Sequence, residues 1–403
     1  MENIPELRYS QRLCPICGNS ERELLFPQRF AEFSAEGLLA GYDVVVCRHC
    51  GFCFGDHIPS QDAFDRYYEV MSKYEIAQRP ATPMDHNQQR LLEVVPFIER
   101  AAQHNQAILE IGCASGQLLH LLRERGYGKL QGIDPSSSCA HIARECYGIP
   151  VQCGTFSSIK LAKPQADLVI LIGVLEHIHD LSQAMEVLRA LVPDAGRVFI
   201  TVPDASHYTQ GVDAPFQEFS VEHINFFGPL SLTNLMSANG FEQLFCESAS
   251  VHANANTITP VVHGAFTKRA ASTGFGLNVV SRDDCTEPAL REYVDKSHRE
   301  HQQVVPVLQR LADGRQPLII WGAGAHTLRL LAQAPLAQAN ITSIIDSNPR
   351  YLGKRIGSVP VVGPDQRPDD DASILVSSRV YQDDICRQIR ERLNWKNQVI
   401  TLY

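Results

Sequence analysis

Two rhythms of apolar and polar positions divide the 403-residue chain. Between residues 108 and 203, short apolar runs alternate with longer amphipathic stretches, the runs falling at 108–111, 129–134, 150–156, 166–172 and 197–203. The run Ala166-Asp167-Leu168-Val169-Ile170-Leu171-Ile172 is apolar almost throughout, as a parallel strand buried on both faces requires. Strands alternating with helices predict βα units, and hence an α/β, doubly wound sheet. Upstream, residues 64–75 read as an aromatic-rich helix. Pro80, Thr82 and Pro83 then break the chain before an amphipathic helix over 84–102. Downstream come a helix through Leu235, a turn at Asn239-Gly240, a strand region over 240–269, a linker over 271–288 and a helix over 287–312. Residues 317–327 then repeat a strand, a glycine turn and a helix start, and 341–345 form a strand ending in Asp346.

Composition narrows the function classes. Net charge is −9 with no long basic run, which argues against a phosphate-backbone binder. No apolar run approaches the ~20 residues of a membrane span, and residues 1–10 lack the apolar core of a secretory signal. Most of the 12 cysteines are scattered singly, as expected for reduced thiols in a cytoplasmic protein. The exception is an N-terminal set. Cys14-Pro15-Ile16-Cys17 and Cys47-Arg48-His49-Cys50 are two Cys-x-x-Cys knuckles 29 residues apart, each followed by glycine, with a strand at 42–46 leading into the second. Four thiolates in this spacing predict a zinc ribbon-like module with structural Zn2+ on Cys14, Cys17, Cys47 and Cys50. His49 and Cys53 are the nearby alternatives.

The chemistry concentrates at Ile108-Leu109-Glu110-Ile111-Gly112-Cys113-Ala114-Ser115-Gly116. A strand ends in an acidic residue and passes through a small-residue turn into a helix near Gln117. The Gly-x-x-x-Gly spacing is not the Gly-x-Gly-x-x-Gly of a dinucleotide pyrophosphate loop. It resembles motif I of class I S-adenosylmethionine (SAM) methyltransferases. Asp134 ends the second strand 24 residues after Glu110, where a doubly wound sheet presents a carboxylate to ribose hydroxyls. The resemblance implies SAM binding by Glu110, Gly112, Ala114, Gly116, Asp134, Gly173 and the adenine-side loop at Thr155 and Phe156. An acidic residue often found in that loop is absent here.

A second stretch, Phe216-Gln217-Glu218-Phe219-Ser220-Val221-Glu222-His223-Ile224-Asn225-Phe226-Phe227, sets a Glu-His pair among aromatics. A neighbouring carboxylate can orient such a histidine and favour its charged form, while a buried structural histidine is the plainer alternative. Together, the four-cysteine module, the SAM fold, this segment and the second glycine turn resemble the nucleotide-sugar C-methyltransferases over nearly the full length. In that family the segment typically reads Tyr-His-Glu-His, against Ser220, Val221, Glu222 and His223 here. The resemblance implies that His223 is the base that makes a sugar carbon nucleophilic, with Glu222 orienting it. His177, after the fourth strand, is the rival. Tyr67, Tyr68 or Tyr208 would cover the missing tyrosine.

The expected domains are a zinc module (1–75), a SAM-dependent methyltransferase domain (76–270) and a C-terminal Rossmann-like domain (285–403). The last would hold the substrate's diphosphate through Gly322, Gly324 and Lys354, or serve as scaffold without a ligand. The expected partner is a small nucleotide-sugar substrate, with no nucleic acid and no membrane span. Methylation of a sugar hydroxyl, an NAD-dependent oxidoreductase and an inactive zinc-bearing interaction protein are the competing readings.

Overall fold

The computed structural model describes residues 11–33, 40–70, 86–159, 166–254, 257–270, 280–333, 335–366 and 371–403. Residues 71–75 of the expected aromatic helix, the break at Pro80, Thr82 and Pro83, positions 84–85 of the next helix and 271–279 of the linker lie outside them. The chain folds as two compact units. One comprises residues 1–25, 44–211 and 222–290, the other residues 26–43, 212–221 and 291–403.

The first elements are β1 (Arg22–Arg29), β2 (Gly41–Cys47), β3 (Cys53–Asp56), α1 (Gln61–Val70) and α2 (His86–Ala101). Next come β4 (Ala107–Ile111), α3 (Gln117–Glu124), β5 (Lys129–Asp134), α4 (Ser137–Tyr147), β6 (Val151–Cys153), β7 (Leu168–Ile172) and α5 (Leu181–Leu191). They are followed by β8 (Arg197–Pro203), β9 (Asn225–Phe226), α6 (Pro229–Ala238), β10 (Phe241–Asn254) and β11 (Thr257–Lys268). A seven-stranded sheet runs β10-β11-β8-β7-β4-β5-β6, with β11 and β10 antiparallel and the other five strands parallel. The order reverses between β4 and β7, so a crevice opens at their carboxyl ends. The expected doubly wound sheet is the fold observed.

Strand alternation explains why both faces are apolar. Leu109 and Ile111 of β4, with Val169 and Leu171 of β7, pack with α5, α6 and the cysteine knuckles. Ile108, Leu168 and Ile170 face the other way, onto α2, α3 and α4. Each such side chain contributes about 1.5–3 kcal/mol by leaving water, so a polar substitution on either face is costly. Helix ends follow local chemistry. Ser136 Oγ accepts from Cys139 N at 3.2 Å to start α4, and Gly148 closes it in the left-handed conformation (φ 58°). Cys47 of the second knuckle ends β2, in a small sheet of order β1-β2-β3-β9.

The second unit holds most of α7 (Thr286–Gly314), then β12 (Leu318–Trp321), α8 (Ala325–Leu331), β13 (Ile341–Ile345) and β14 (Arg355–Ile356). It ends with β15 (Val359–Val362), β16 (Ser373–Val376), α9 (Gln382–Arg387) and β17 (Val399–Thr401). Its six-stranded sheet runs β14-β15-β13-β12-β16-β17 and is parallel except at β14, a second α/β domain as expected. No helix among the described residues is long and apolar enough to cross a membrane.

Candidate active site

The crevice between β4 and β7 is a cavity lined by Glu110, Gly112, Ala114, Asp134, Thr155, Phe156 and Gly173, which are seven of the eight positions expected to bind the cofactor. Gly112 has φ 73°, and a β-carbon there would lie 2.7 Å from Val174 Cγ2, so this turn demands glycine. Gly116, the eighth, starts α3 at φ 75° and is not a lining residue. Asp134 accepts from Ala114 N at 2.7 Å and from Ser136 N at 2.9 Å. Its carboxylate therefore fixes the turn at the edge of the crevice. Glu110 is 4% exposed, and its Oε2 has no hydrogen-bond partner among the described residues. Burial, reinforced by Asp134, pushes its carboxyl up to about 8. An orphaned buried carboxylate beside a glycine turn suits a ligand with a cationic amino-acid tail, which is the donor set SAM requires. Among the lining residues that escaped the sequence reading are Gln61, Asp65, Asn87, Arg90 and Gln117. Asn87 Nδ2 donates to Gln117 Oε1 at 2.8 Å, and Thr155 Oγ1 donates to Asp65 at 3.3 Å. The amphipathic pattern of α2 gave its apolar face but could not say which polar residues the sheet would receive.

At one end of the cavity, Tyr68, His177 and Glu222 line the wall. His177 sits in a 3-10 turn after β7 (Leu175–His177), and its Nδ1–H donates to the Glu222 carbonyl at 3.0 Å. The Tyr67 hydroxyl, on the helix that carries Tyr68, donates to Glu222 Oε1 at 2.9 Å. The His177 ring packs against Tyr68 (5.6 Å between centroids) and against His223 (5.0 Å). His223 is thus in the group the sequence anticipated, one ring removed from the cavity wall, and Tyr67 reaches it through Glu222. Tyr208 is buried away from this wall and is not a lining residue. Glu176, His177 and His223 place ligand-type atoms within 4.8 Å of one another, and His177 Nε2 lies 4.0 Å from Glu176 Oε1. Ligands sharing one ion at about 2.1 Å sit roughly 3–3.5 Å apart. The His177–Glu176 pair is wider than that.

Residues 84–244, which carry most of the cavity's lining and most of the sheet, match the methyltransferase domain family. The central domain is a class I SAM-dependent methyltransferase domain. The methyltransferase is similar in structure to a SAM-dependent methyltransferase of Methanosarcina mazei, with 17% identity over 43% of this chain and 97% of that one and a TM-score of 0.36. It is similar also to a possible histamine N-methyltransferase of Thermotoga maritima, with 18% identity over 52% and 95% and a TM-score of 0.37. A third likeness is to the magnesium protoporphyrin IX methyltransferase of Synechocystis with bound SAH, at 12% identity over 52% and 100% with a TM-score of 0.41. These scores are low, and the assignment rests on the family match and the sheet. No curated protein matches the chain.

Two other residue groups that the sequence singled out can be placed. Cys14, Cys17, Cys47 and Cys50 converge, with the Sγ atoms of Cys14 and Cys50, and of Cys17 and Cys47, each 3.5 Å apart. Four sulfurs at about 2.3 Å around one zinc lie roughly 3.8 Å apart, so the set fits that ion. Cys53 instead directs its Sγ to the Gly51 carbonyl at 3.7 Å, and neither it nor His49 joins the cluster. In the second unit, Ala323 N donates to Asp346 Oδ2 at 2.7 Å and Gly322 N to the Ile345 carbonyl at 2.8 Å. The same two contacts recur at the SAM turn, where Ala114 meets Asp134 at 2.7 Å and Gly112 meets Ile133 at 2.8 Å. Gly324 precedes α8, and Lys354 is half-buried beside β14.

Proposed function

We propose that this enzyme moves the methyl group of SAM onto a nucleotide-linked keto-deoxysugar, at carbon, within polysaccharide or branched-sugar biosynthesis. The observation that carries the reading is the Tyr67–Glu222–His177–His223 group at the end of the SAM-type cavity. SAM, when bound, supplies an electrophilic methyl on an excellent leaving group, so the protein's task is to align and activate the acceptor. A sugar carbon beside a carbonyl becomes nucleophilic on losing a proton, and a positioned base contributes ~10²–10⁴-fold to such a step. Glu222 and His177 form the acid–base group, His223 packs against the His177 ring, and Tyr68 on the same wall contacts the acceptor. Glu110, the Gly112-to-Gly116 turn, Asp134, Thr155 and Phe156 hold SAM. The four cysteines hold a structural zinc, and Gly322, Gly324 and Lys354 bind the nucleotide diphosphate. A second reading, methylation of a sugar hydroxyl, is favoured by Ser220, which stands where the sugar C-methyltransferases carry tyrosine.

Mass spectrometry of dTDP-, CDP- and GDP-linked 4-keto-6-deoxysugars incubated with the enzyme and SAM tests the reading, with NMR locating the new methyl. A carbon-bound methyl is the expected product. An oxygen-bound one would establish the second reading, and no product from any member would overturn the sugar assignment.

A further inference from the structure

The hydrogen bond at His177 settles a question that residue type alone leaves open. A carbonyl oxygen only accepts, so the contact from His177 Nδ1 to the Glu222 carbonyl at 3.0 Å requires the proton on Nδ1. The neutral ring then carries its lone pair on Nε2. His177 lines the SAM cavity, whereas His223, 5.0 Å away between ring centroids, does not. Glu176 Oε1 lies 4.0 Å from His177 Nε2, beyond hydrogen-bond distance. Glu222 is itself anchored by the Tyr67 hydroxyl at 2.9 Å, and Tyr67 is buried. The device therefore runs from α1 through a carboxylate and its main chain to one imidazole.

We propose that His177 Nε2, and not His223, is the proton acceptor of this enzyme, with Glu222 and Tyr67 as positioning residues; the role rests on the keto-sugar reading above, the tautomer does not. In the step assigned to it, the C–H bond beside the carbonyl breaks toward Nε2. Its electron pair forms the enolate double bond while the carbonyl π pair moves to oxygen. The enolate carbon then bonds to the methyl carbon, whose bond to sulfur breaks with its pair remaining on sulfur. Nothing is oxidised or reduced. His223 packs against the base and holds its plane.

Two measurements on the full chain test the proposal. Imidazole ¹⁵N NMR of the free enzyme should show neutral His177 protonated at Nδ1, assigned by loss of the signal in His177→Gln; an Nε2–H tautomer overturns the proposal whatever the substrate. Solvent deuterium exchange into a dTDP-linked 4-keto-6-deoxysugar, without SAM, tests the role. His177→Gln should lose exchange by ~10²-fold or more while SAM affinity, by calorimetry, stays within about twofold of wild type. His223→Gln should keep exchange within about tenfold. Abolished exchange in His223→Gln with normal exchange in His177→Gln would reverse the assignment. Should His177→Gln fail to bind SAM, Tyr67→Phe decides, since it leaves both imidazoles in place. It should lower kcat with KM unchanged and raise the Nε2–H fraction at His177, and an unchanged tautomer and kcat would remove the positioning device. If wild type exchanges no sugar of the panel, the sugar reading fails while the NMR result still decides the tautomer.

Discussion

Between about pH 4.5 and 8 the Glu110 carboxyl is protonated in the folded protein and ionised in the unfolded chain, because burial and then Asp134 raise it to about 8. Its contribution to stability is fully present below about 4.5 and is lost as pH rises through about 8. SAM binding should reverse that preference, since a cationic tail favours the carboxylate. Calorimetry should therefore show SAM affinity rising close to tenfold per pH unit from 6 toward 8, with proton release, and Glu110→Gln should flatten the dependence. A flat profile in wild type would place the amino-acid tail elsewhere. Asp134→Ala should weaken SAM binding by ~1–3 kcal/mol, because it strips both the turn's acceptor and the ribose's partner. Unchanged affinity would refute the site. Both residues were legible from the strand-end pattern. Arg90 and Asn87 were not, because a helix's polar face does not declare which of its residues meets another element's crevice.

The cysteine module and the segment carrying His223 meet through a strand pair and one arginine. Strand β3, just past the second knuckle, pairs antiparallel with β9, which begins two residues after His223 (Cys53 opposite Phe226, Phe54 opposite Asn225). Arg12, two residues before Cys14, donates to the carbonyls of His179 (2.7 Å) and Ile224 (3.3 Å) and takes Asp56 Oδ1 on its own amide at 2.7 Å. Burial pulls its guanidinium down to about 10, against the opposing pull of Asp56. Arg12 and β3, which flank the knuckles, thus hold the backbone just after each histidine. Metal analysis of fresh protein should find one zinc per chain, and Cys17→Ser should lose it, with the small module losing ~10 kcal/mol or more of folding energy. Methyl transfer should fall at least ~10-fold in that variant while SAM affinity holds, because β4 and β5 carry the SAM turn independently. Retained zinc in Cys17→Ser would remove the thiolate assignment, and full activity without zinc would remove the bracing role.

At the scale of the molecule, one sheet design recurs, and the recurrence bears on the second unit's role. Asp346 holds the Gly322 turn as Asp134 holds the Gly112 turn, yet α8 has only seven residues and adds little dipole to a phosphate site. The cation at Lys354 then matters more. Lys354→Ala should raise the KM for the nucleotide sugar more than it lowers kcat, in steady-state assays with SAM saturating. Weakened SAM binding would mean the two turns' ligands are exchanged. The sequence alone determined the doubly wound sheet, the four-cysteine set and the acidic strand ends, because apolar runs, knuckle spacing and glycine turns are local and repeat with the backbone's own periods. Only the tertiary structure decided which histidine lines the cavity and which nitrogen carries the proton. Those depend on His177 and Glu222, 45 residues apart, meeting through a single main-chain carbonyl. A carbonyl has no residue-specific signature, so no pattern of side chains could have announced it.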